Sequence, residues 1–272
     1  MRIARFSIND TPRYAFVQAD PTDGKDYLIE LDGYPLGRAA VKPTGERYAV
    51  DADGVRLLAP VIPSKVYGLA KNYEAHAQFM HAAGKSEIAH APENMVIFTK
   101  PATSVIGPDD PIVFPKYSHD MNFEPEVAVV IGRIAKNVPV DKAMDYVLGY
   151  TCVNDVTLRD IQGMDPMWTR AKGFDTSCPL GPWIQTELNW RDAKISFTLN
   201  GKDVAMASGT TANLIHGIPE QIAAISSFST LLPGDVIMTG TPPNASGSLR
   251  PGDEAIVHIE GVGSLRNVVV AE

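Results

Sequence analysis

Short apolar runs between turns that contain proline or glycine are the feature that most constrains the fold of this chain. The triplet PGD occurs twice, in TLLPGDVIMTG and SLRPGDEAIVHIEG, and each copy precedes an apolar or alternating run. Such triplets are typical of β-turns, and runs of this length are typical of strands. Neither a strand–helix–strand rhythm nor a GxGxxG motif is present, so we expect a mixed α/β fold that is mainly β.

Three segments predict helices within this β-rich chain. PVDKAMDYVLG predicts a helix of two turns, and IPEQIAAISSFST predicts another, with Pro219 suited to its first turn. In EAHAQFMHAAGK, Ala75, Phe79 and Ala82 fall on one helical stripe, and Gly84 is placed to end the helix.

The chain divides into two predicted domains at a proline-rich connector. Residues 1–58 contain short β-prone runs such as RIARFSI and YLIEL between turn-rich pieces, which predicts a small N-terminal β domain. Pro60 and Pro63 favour an extended connector. Residues 59–272 then form the larger domain.

Composition excludes several classes of partner. The 272 residues carry a net charge of -8 with scattered Lys and Arg, so we expect no binding to nucleic acid. No apolar run approaches the ~20 residues of a membrane span, so we expect a cytoplasmic protein without membrane contact. Cys152 and Cys178 have no CxxC spacing, and we interpret them as reduced packing residues, with a reactive thiol as the alternative.

The stretch FEPEVAVVIG places two glutamates at the start of an apolar run. Alternate side chains of a strand share a face, so Glu124 and Glu126 point the same way. Pro125 lacks an N–H, which restricts this point to a strand start or an edge. Two buried carboxylates need positive charge nearby, and a divalent cation supplies it. A solvated strand end paired with lysine or arginine is the alternative.

A third carboxylate, Asp155, closes the apolar run in YTCVNDVTLRDIQ. Three carboxylates with water suit a hard cation, Mg, Mn or Ca, whereas zinc prefers histidine or thiolate. The alternative role for Asp155 is a helix N-cap, and the two roles are compatible.

Arg159 and Gln162 follow Asp155 at spacings that put all three on one side of a helix. An arginine there can clamp a substrate carboxylate, and a glutamine can orient a carbonyl or a water. A surface salt bridge between Arg159 and Asp160 or Asp165 is the alternative.

One lysine and two histidines are further candidates. Lys172 lies in WTRAKGFDTSCPLGP, where a lysine above a metal site can stabilise an oxyanion, although an isolated lysine is usually a solvated surface charge. His76 and His81 are five residues apart, which suits joint metal binding poorly and favours an acid or base role for one of them.

Seven strings follow one another over about residues 60–270: KNYEAH, FTKPATSVIGPDDPIVFP, FEPEVAVVIG, GYTCVNDVTLRDIQ, WTRAKGFDTSCPLGP, LLPGDVIMTGTP and IEGVGSLRN. In these strings and in their order, the chain resembles the fumarylacetoacetate hydrolase family. The resemblance implies a β-roll catalytic domain that is usually homodimeric. It also implies a Mg or Mn ion held by Glu124, Glu126 and Asp155.

The resemblance further implies the substrate and the residues that contact it. The substrates are 2-oxo or 2,4-dioxo acids, with Arg159, Gln162, Lys172 and Thr241 as contacts. His76 matches a mobile lid histidine. The catalytic residues that the resemblance implies are His76, Gln162 and Lys172. The cation is expected to act as a Lewis acid toward the 2-oxo acid.

The chain departs from the family pattern at Phe79. Hydrolytic members usually carry a glutamate three residues after the lid histidine, and Glu74 and Glu87 are the alternative partners for His76. Acylpyruvate-type C–C hydrolysis is the family default. Phe79 shifts the expectation toward oxaloacetate decarboxylation or tautomerisation, or isomerisation of a hydroxyheptadienedioate. A weakly active protein that binds metal and an oxo acid is the hypothesis from another class.

Overall fold

The computed structural model describes residues 1–36, 40–82, 84, 90, 92–242 and 247–272, apart from the side chains of His76, Phe79, Met80 and Met206. The described strands are β1 (Arg2–Ile8), β2 (Thr11–Ala19), β3 (Asp26–Leu31), β4 (Pro43–Ala49), β5 (Val55–Leu58), β6 (Val66–Ala70), β7 (Val96–Lys100), β8 (Val105–Ile106), β9 (Ile112–Phe114), β10 (Met121–Phe123), β11 (Pro125–Ile131), β12 (Val147–Asn154), β13 (Thr157–Leu158), β14 (Cys178–Gln185), β15 (Lys194–Leu199), β16 (Lys202–Asp203), β17 (Gly209–Thr210), β18 (Val236–Met238), β19 (Gly247–Leu249), β20 (Glu254–Ile259) and β21 (Gly263–Ala271). The α-helices are α1 (Glu74–Ala82), α2 (Arg159–Met164), α3 (Thr169–Lys172) and α4 (Ile218–Phe228). Strands dominate, which confirms the mixed, mainly β fold class.

The apolar run after Pro125 is the central strand of the largest sheet. This sheet has 12 strands, with the order β4-β3-β2-β1-β14-β12-β11-β18-β6-β7 and with β5 and β8 paired to β1 and β14. All residues of β11 are buried, since β12 and β18 cover its two sides and side chains cover its two faces. Pro125 is the first residue of β11, where a missing N–H is tolerated.

The N-terminal strands extend this same sheet. Strand β1 pairs with β14 through Arg2 opposite Gln185 and Ile3 opposite Ile184. Strands β1 to β5 pair antiparallel with one another, as their alternating sequences predict. The division of the chain after residue 58 stays a prediction, and the 12-stranded sheet runs across that point.

Two smaller sheets complete the fold. One has the order β16-β15-β20-β21-β9 with β17 on β15, and the other has the order β13-β10-β19. Apolar side chains of the large sheet pack against the six-stranded sheet. The ring of Phe123, from β10 of the three-stranded sheet, stacks on the ring of Phe197 in β15, with their centroids 3.9 Å apart. Strands β18 and β20 follow the two PGD turns, as predicted.

Two of the three predicted helices form as α-helices. Helix α4 carries Pro219 in its first turn, and α1 ends at Ala82, before Gly84. The third segment forms a helix of about two turns as well, and this helix, Val140–Tyr146, is a 3-10 helix. Only seven residues separate Pro139 from β12, and a tighter helix suits so short a connection. No helix within the described ranges combines the length and apolarity needed to cross a membrane.

Both cysteines are buried packing residues. Cys152 lies in β12 and Cys178 begins β14, and neither is in a disulfide. Burial raises the pKa of the Cys178 thiol to about 12 and raises the pKa of the Cys152 thiol as well. A raised thiol pKa disfavours the nucleophilic thiolate, so the packing interpretation holds.

Candidate active site

Three buried carboxylates meet where strands β11 and β12 lie side by side. Glu126 lies in β11, and Asp155 directly follows β12, whose Val153 is the register partner of Glu126. The backbone N–H of Asp155 donates to the carbonyl of Glu124 over 2.8 Å, which brings Glu124 to the same strand ends. One oxygen atom of each carboxylate lies within 4.8 Å of the others. None is more than 4% exposed, so the solvated strand end is wrong.

Helix α2 presents the next two predicted residues but does not include Asp155. Its N-cap is Leu158 and its first residue is Arg159, so the N-cap alternative for Asp155 is wrong. The three side chains meet because a strand end and the following helix converge, and not because of helical spacing alone. Arg159 Nη1 donates to Gln162 Oε1 over 2.8 Å, which joins the two residues of α2.

Two of the side chains predicted from the sequence are buried cations that pair with this carboxylate triad. Lys172 Nζ donates to Glu124 Oε2 over 2.6 Å and to Asp155 Oδ2 over 2.5 Å. The Arg159 guanidinium forms a salt bridge with Glu124. Lys172 is only 3% exposed and lies at the end of α3, so it is not a solvated surface charge. Asp165 pairs instead with Arg170, outside the triad.

Neutral groups hold the third carboxylate of the triad. The N–H of Gly240 donates to Glu126 Oε2 over 2.7 Å, and the Thr241 hydroxyl donates to Oε1 over 2.6 Å. Burial, followed by the charges of Asp155 and Glu124, raises the pKa of Glu126 well above its usual value. The local partners of Glu126 therefore stabilise its negative charge incompletely.

Lys172 is held in its charged form. Burial acts to lower the pKa of Lys172, but the carboxylates of Asp155 and Glu124 outweigh it, and the pKa is raised overall. A lysine with a raised pKa serves as a fixed cation or a proton donor and serves poorly as a base.

The donor set of the triad fits a hard divalent cation. Three carboxylates within 4.8 Å supply oxygen ligands, and the group found in the described part of the chain includes no histidine or cysteine. Mg, Mn and Ca prefer such oxygen ligands, whereas zinc prefers nitrogen and sulfur. The raised pKa of Glu126 fits as well, because a bound cation offsets both the burial and the repulsion that raise it.

A cavity of about 550 Å³ opens onto the triad. Apolar side chains of Leu69, Phe98 and Trp168 form part of its wall. The side chain of His76 lies outside the described residues. The other site residues predicted from the sequence all line the cavity: Glu124, Glu126, Asp155, Arg159, Gln162, Lys172 and Thr241.

Helix α1 stands at the position of the predicted lid. The carboxylate of Glu74, at its first residue, accepts from Gln78 Nε2 over 3.0 Å and lies 2.6 Å from His90 Nδ1. The side chain of Phe79 and the whole of Glu87 lie outside the described residues. The lid partner of His76 therefore stays a prediction.

Asn72 fixes the loop that carries Thr241, and sequence reasoning missed it. Its Nδ2 donates to the carbonyls of Thr239 over 2.8 Å and His216 over 3.0 Å, and its Oδ1 accepts from the His216 N–H over 2.9 Å. At Gly240, with φ of 106°, a Cβ atom would lie 2.9 Å from the Cβ of Asn72. The string KNYEAH contains this asparagine, but no local pattern indicates its distant partners.

Lys100, Lys71 and His119 are also near the triad or its cavity and were missed. Lys100 ends β7 and lies 2.8 Å from Asp155 Oδ1. Lys71 lines the cavity with a left-handed φ of 57°, and burial lowers its pKa. His119 lines it from the rim and lies 2.9 Å from Asp160. The only sequence signal among these is a lysine that closes the β-prone run VIFTK.

A mainly β fold with a carboxylate triad at the floor of a cavity is the class of protein that these features define. The chain belongs to the fumarylacetoacetate hydrolase family, a family of enzymes, because the family model described as fumarylacetoacetate (FAA) hydrolase C-terminal matches residues 65–270. A second model, Rv2993c-like N-terminal, matches residues 1–60.

Similar proteins in other organisms cover most of the chain. Protein Rv2993c of Mycobacterium tuberculosis is 41% identical over 99% of this chain and 98% of its own length. The mitochondrial oxaloacetate tautomerase Fahd2a of Rattus norvegicus is 38% identical over 79% of this chain and 70% of its own length.

Solved structures of similar proteins share the fold. A 2-hydroxyhepta-2,4-diene-1,7-dioate isomerase from Mycobacterium marinum has a TM-score of 0.87 and 38% identity, over 100% of this chain and 99% of its own. A maleylpyruvate hydrolase from Sphingobium sp. SYK-6, in complex with manganese(II) and pyruvate, has a TM-score of 0.75 and 26% identity, over 100% and 99%.

Proposed function

We propose that this protein is a divalent-metal-dependent enzyme that moves a proton at C3 of a 2-oxo acid, with keto–enol tautomerisation of an oxaloacetate-like acid as its reaction. The observation that carries the proposal is the contact of buried Lys172 with both Glu124 and Asp155 at the floor of the cavity. This arrangement concentrates positive charge beside a candidate cation site, where a 2-oxo acid develops negative charge on losing its C3 proton.

Glu124, Glu126 and Asp155 are the residues that would hold the cation. When bound, a Mg or Mn ion supplies Lewis acidity to the oxygen atoms of the substrate. Thr241 and Gly240 orient Glu126 through its two oxygen atoms, and Asp155 is oriented by Lys172. Each carboxylate is thus held in place by hydrogen bonds before substrate arrives.

The residues of α2 are proposed to orient the substrate. Arg159 carries a guanidinium whose planar donors suit a carboxylate, and its bond to Gln162 fixes both side chains toward the cavity. Lys172 keeps its proton because its pKa is raised, so we assign it to stabilise negative charge on the 2-oxo oxygen. The proton at C3 is assigned to His76 of α1, in line with the family resemblance.

Two observations favour proton transfer over hydrolysis. Phe79 stands where hydrolytic members usually have a glutamate, and a phenylalanine can neither accept a proton nor orient an imidazole. The Rattus norvegicus relative is named an oxaloacetate tautomerase, and the Mycobacterium marinum relative is named a dioate isomerase. Both names describe movement of a proton without cleavage of a C–C bond.

Acylpyruvate C–C bond hydrolysis is the second candidate. It is favoured by the similarity to the maleylpyruvate hydrolase of Sphingobium, which was solved with manganese(II) and pyruvate. Loss of an acyl group from an acylpyruvate leaves the same negative charge at C3 that proton abstraction leaves. The floor of the cavity therefore suits both reactions, and the lid decides between them.

The test is an assay of the purified protein with Mg or Mn against three substrates. The decay of enol absorbance of oxaloacetate reports tautomerisation, and the release of pyruvate from acetylpyruvate or fumarylpyruvate reports hydrolysis. We expect rapid enol decay that EDTA abolishes and slower hydrolysis. Glu260→Gln, an exposed change outside the cavity, is the control that retains activity. Oxalate binding without turnover of any substrate contradicts the proposal and favours a binding protein.

The homodimer expected from the family resemblance is part of the same proposal. Size-exclusion chromatography with light scattering measures the mass in solution, and we expect twice the 29.4 kDa of the chain. A mass equal to one chain contradicts the dimer and leaves the proposed chemistry standing.

A further inference from the structure

A fully buried lysine contacts the oxygen atom of Asp155 that Lys172 does not. Lys100 is the last residue of β7, and its side chain has 0% exposure. Burying a lysine costs several kcal/mol unless its charge is paired and its hydrogen bonds are made. The contact between Lys100 and Asp155 therefore needs an explanation other than packing.

All contacts of the Lys100 ammonium are with oxygen acceptors. Its Nζ lies 2.8 Å from Asp155 Oδ1, 2.9 Å from the carbonyl of Ser177 and 3.2 Å from the carbonyl of Val156. It also donates to the Lys172 carbonyl and lies 3.2 Å from Ser177 Oγ. Only the charged ammonium has three donors for such a set of acceptors.

The two lysines divide the oxygen atoms of Asp155 between them. Oδ1 faces Lys100 at 2.8 Å, and Oδ2 accepts from Lys172 at 2.5 Å. The Ser177 hydroxyl donates to the Lys172 carbonyl over 2.8 Å and so joins the same cluster. The Lys100 ammonium therefore contacts both members of the Asp155–Lys172 pair. It contacts the side-chain carboxylate of Asp155 and the backbone carbonyl of Lys172.

The charge of Lys100 matters for the charge of the whole site. Lys100, Arg159 and Lys172 pair with a triad of three carboxylates, so together the six groups are formally neutral. With a divalent cation bound, the group carries two positive charges. The C1 carboxylate and the 2-oxo oxygen of a 2-oxo acid together carry one negative charge before the C3 proton is lost and two after it. Removal of Lys100 reduces the match to the dianion.

We propose that Lys100 is a positioning residue that holds Asp155 by one oxygen and sets the charge of the site to favour a dianion over a monoanion. The inference rests on the proposed function, since that reaction forms a dianion at the 2-oxo acid end of the substrate. It assigns to Lys100 a selective effect on reaction intermediates, which a residue needed only for folding does not have.

The test compares Lys100→Gln with wild type and with Lys202→Gln, an exposed control on β16. Glutamine keeps hydrogen-bond donors but removes the charge. Calorimetry of the Mn-loaded proteins measures the affinity for oxalate, a stable dianion, and for pyruvate, a monoanion. We expect Lys100→Gln to weaken oxalate binding by about 10- to 100-fold, with pyruvate binding changed less than about 3-fold. Mn binding to the metal-free variant should be no weaker than in wild type, since a positive charge near the ion is removed.

Equal losses of oxalate and pyruvate affinity, or weaker Mn binding with no change in the oxalate-to-pyruvate ratio, overturn the inference and make Lys100 a structural residue only. Kinetics give a second readout, with kcat lowered by about 10- to 100-fold and KM nearly unchanged.

A milder variant decides the question if Lys100→Gln does not fold. Ser177→Ala removes the hydroxyl that contacts both Lys100 and the Lys172 carbonyl, but leaves the charge in place. Without this hydroxyl, Lys100 is held less firmly beside Asp155. We therefore expect Ser177→Ala to weaken oxalate binding by about 2- to 5-fold while pyruvate binding is unchanged. Equal effects on the two ligands, or no effect on either, count against the inference. Failure of the proposed function is distinguishable, because wild type would then show no metal-dependent enol decay, whatever the oxalate-to-pyruvate affinity ratios of the variants.

Discussion

The floor and the lid of the cavity differ in how firmly their residues are held. At the floor, Glu124, Glu126 and Asp155 are at most 4% exposed and are fixed by strand ends, lysines and backbone N–H groups. At the lid, the side chains of Glu74 and His90 are 45% and 77% exposed. A fixed floor suits the step that all proposed reactions share. At the predicted lid, we expect a change of one side chain to redirect the reaction.

The floor is tested most severely at Glu126. We expect Glu126→Ala to lower kcat by about 1000-fold or more, because it removes one of the three proposed metal ligands and leaves Gly240 and Thr241 without their acceptor. The measurement is the rate of metal-dependent enol decay, with Glu260→Gln as the exposed control. Activity near the wild-type level would place the metal site elsewhere.

Lys172 is expected to be the next most sensitive residue of the floor. Lys172→Met should lower kcat by about 100- to 1000-fold, since it removes the cation that faces the developing oxyanion. Thermal unfolding of the same variant shows whether it folds, and Lys202→Met serves as the exposed control. A folded variant with a raised KM and an unchanged kcat contradicts the assignment.

The lid is tested by comparing its two histidines. His76→Ala should lower kcat by about 10- to 100-fold, as expected for loss of an acid or base, whereas His81→Ala should change it by less than about 3-fold. Both residues belong to α1, so the pair controls for general damage to the helix. The reverse order of effects would assign the proton transfer to His81.

Phe79 tests whether the lid selects the reaction. Phe79→Glu restores the residue that hydrolytic members usually have, and we expect it to raise the ratio of acylpyruvate hydrolysis to enol decay by about 2- to 10-fold. Both rates are measured on the same preparation, with Phe79→Leu as the apolar control. An unchanged ratio removes the lid from the choice of reaction.

The smallest predicted effect concerns the stability of the metal-free floor. Because the pKa of Glu126 is raised above 4.5, the folded protein holds its proton at pH values where the unfolded chain has released it. Protonated Glu126 therefore adds to the free energy of unfolding at low pH, and this contribution is lost as pH rises from 4.5 through the folded pKa. We expect the melting temperature in EDTA to fall with pH in wild type and to fall less steeply in Glu126→Gln. Parallel curves for the two proteins contradict this origin of the pKa shift.

The floor could be predicted from the sequence to a large extent because its residues lie near the ends of strands or helices that local patterns mark. The E-x-E pair, Asp155 and Lys172 follow such patterns, and family order added Thr241. Lys100 and Asn72 could not be predicted, because their partners are 55 to 167 positions away and no periodicity marks them. The helix before β12 was predicted, but its 3-10 type was not, since its composition also suits an α-helix.

The most direct test of the central claim is the affinity of oxalate measured by calorimetry with Mg present and with EDTA in its place. The claim is that Glu124, Glu126 and Asp155 hold a divalent cation through which a 2-oxo acid is bound. We predict oxalate binding in Mg that is lost in EDTA and lost in Glu126→Gln. Equal oxalate affinity in Mg and in EDTA would contradict the claim.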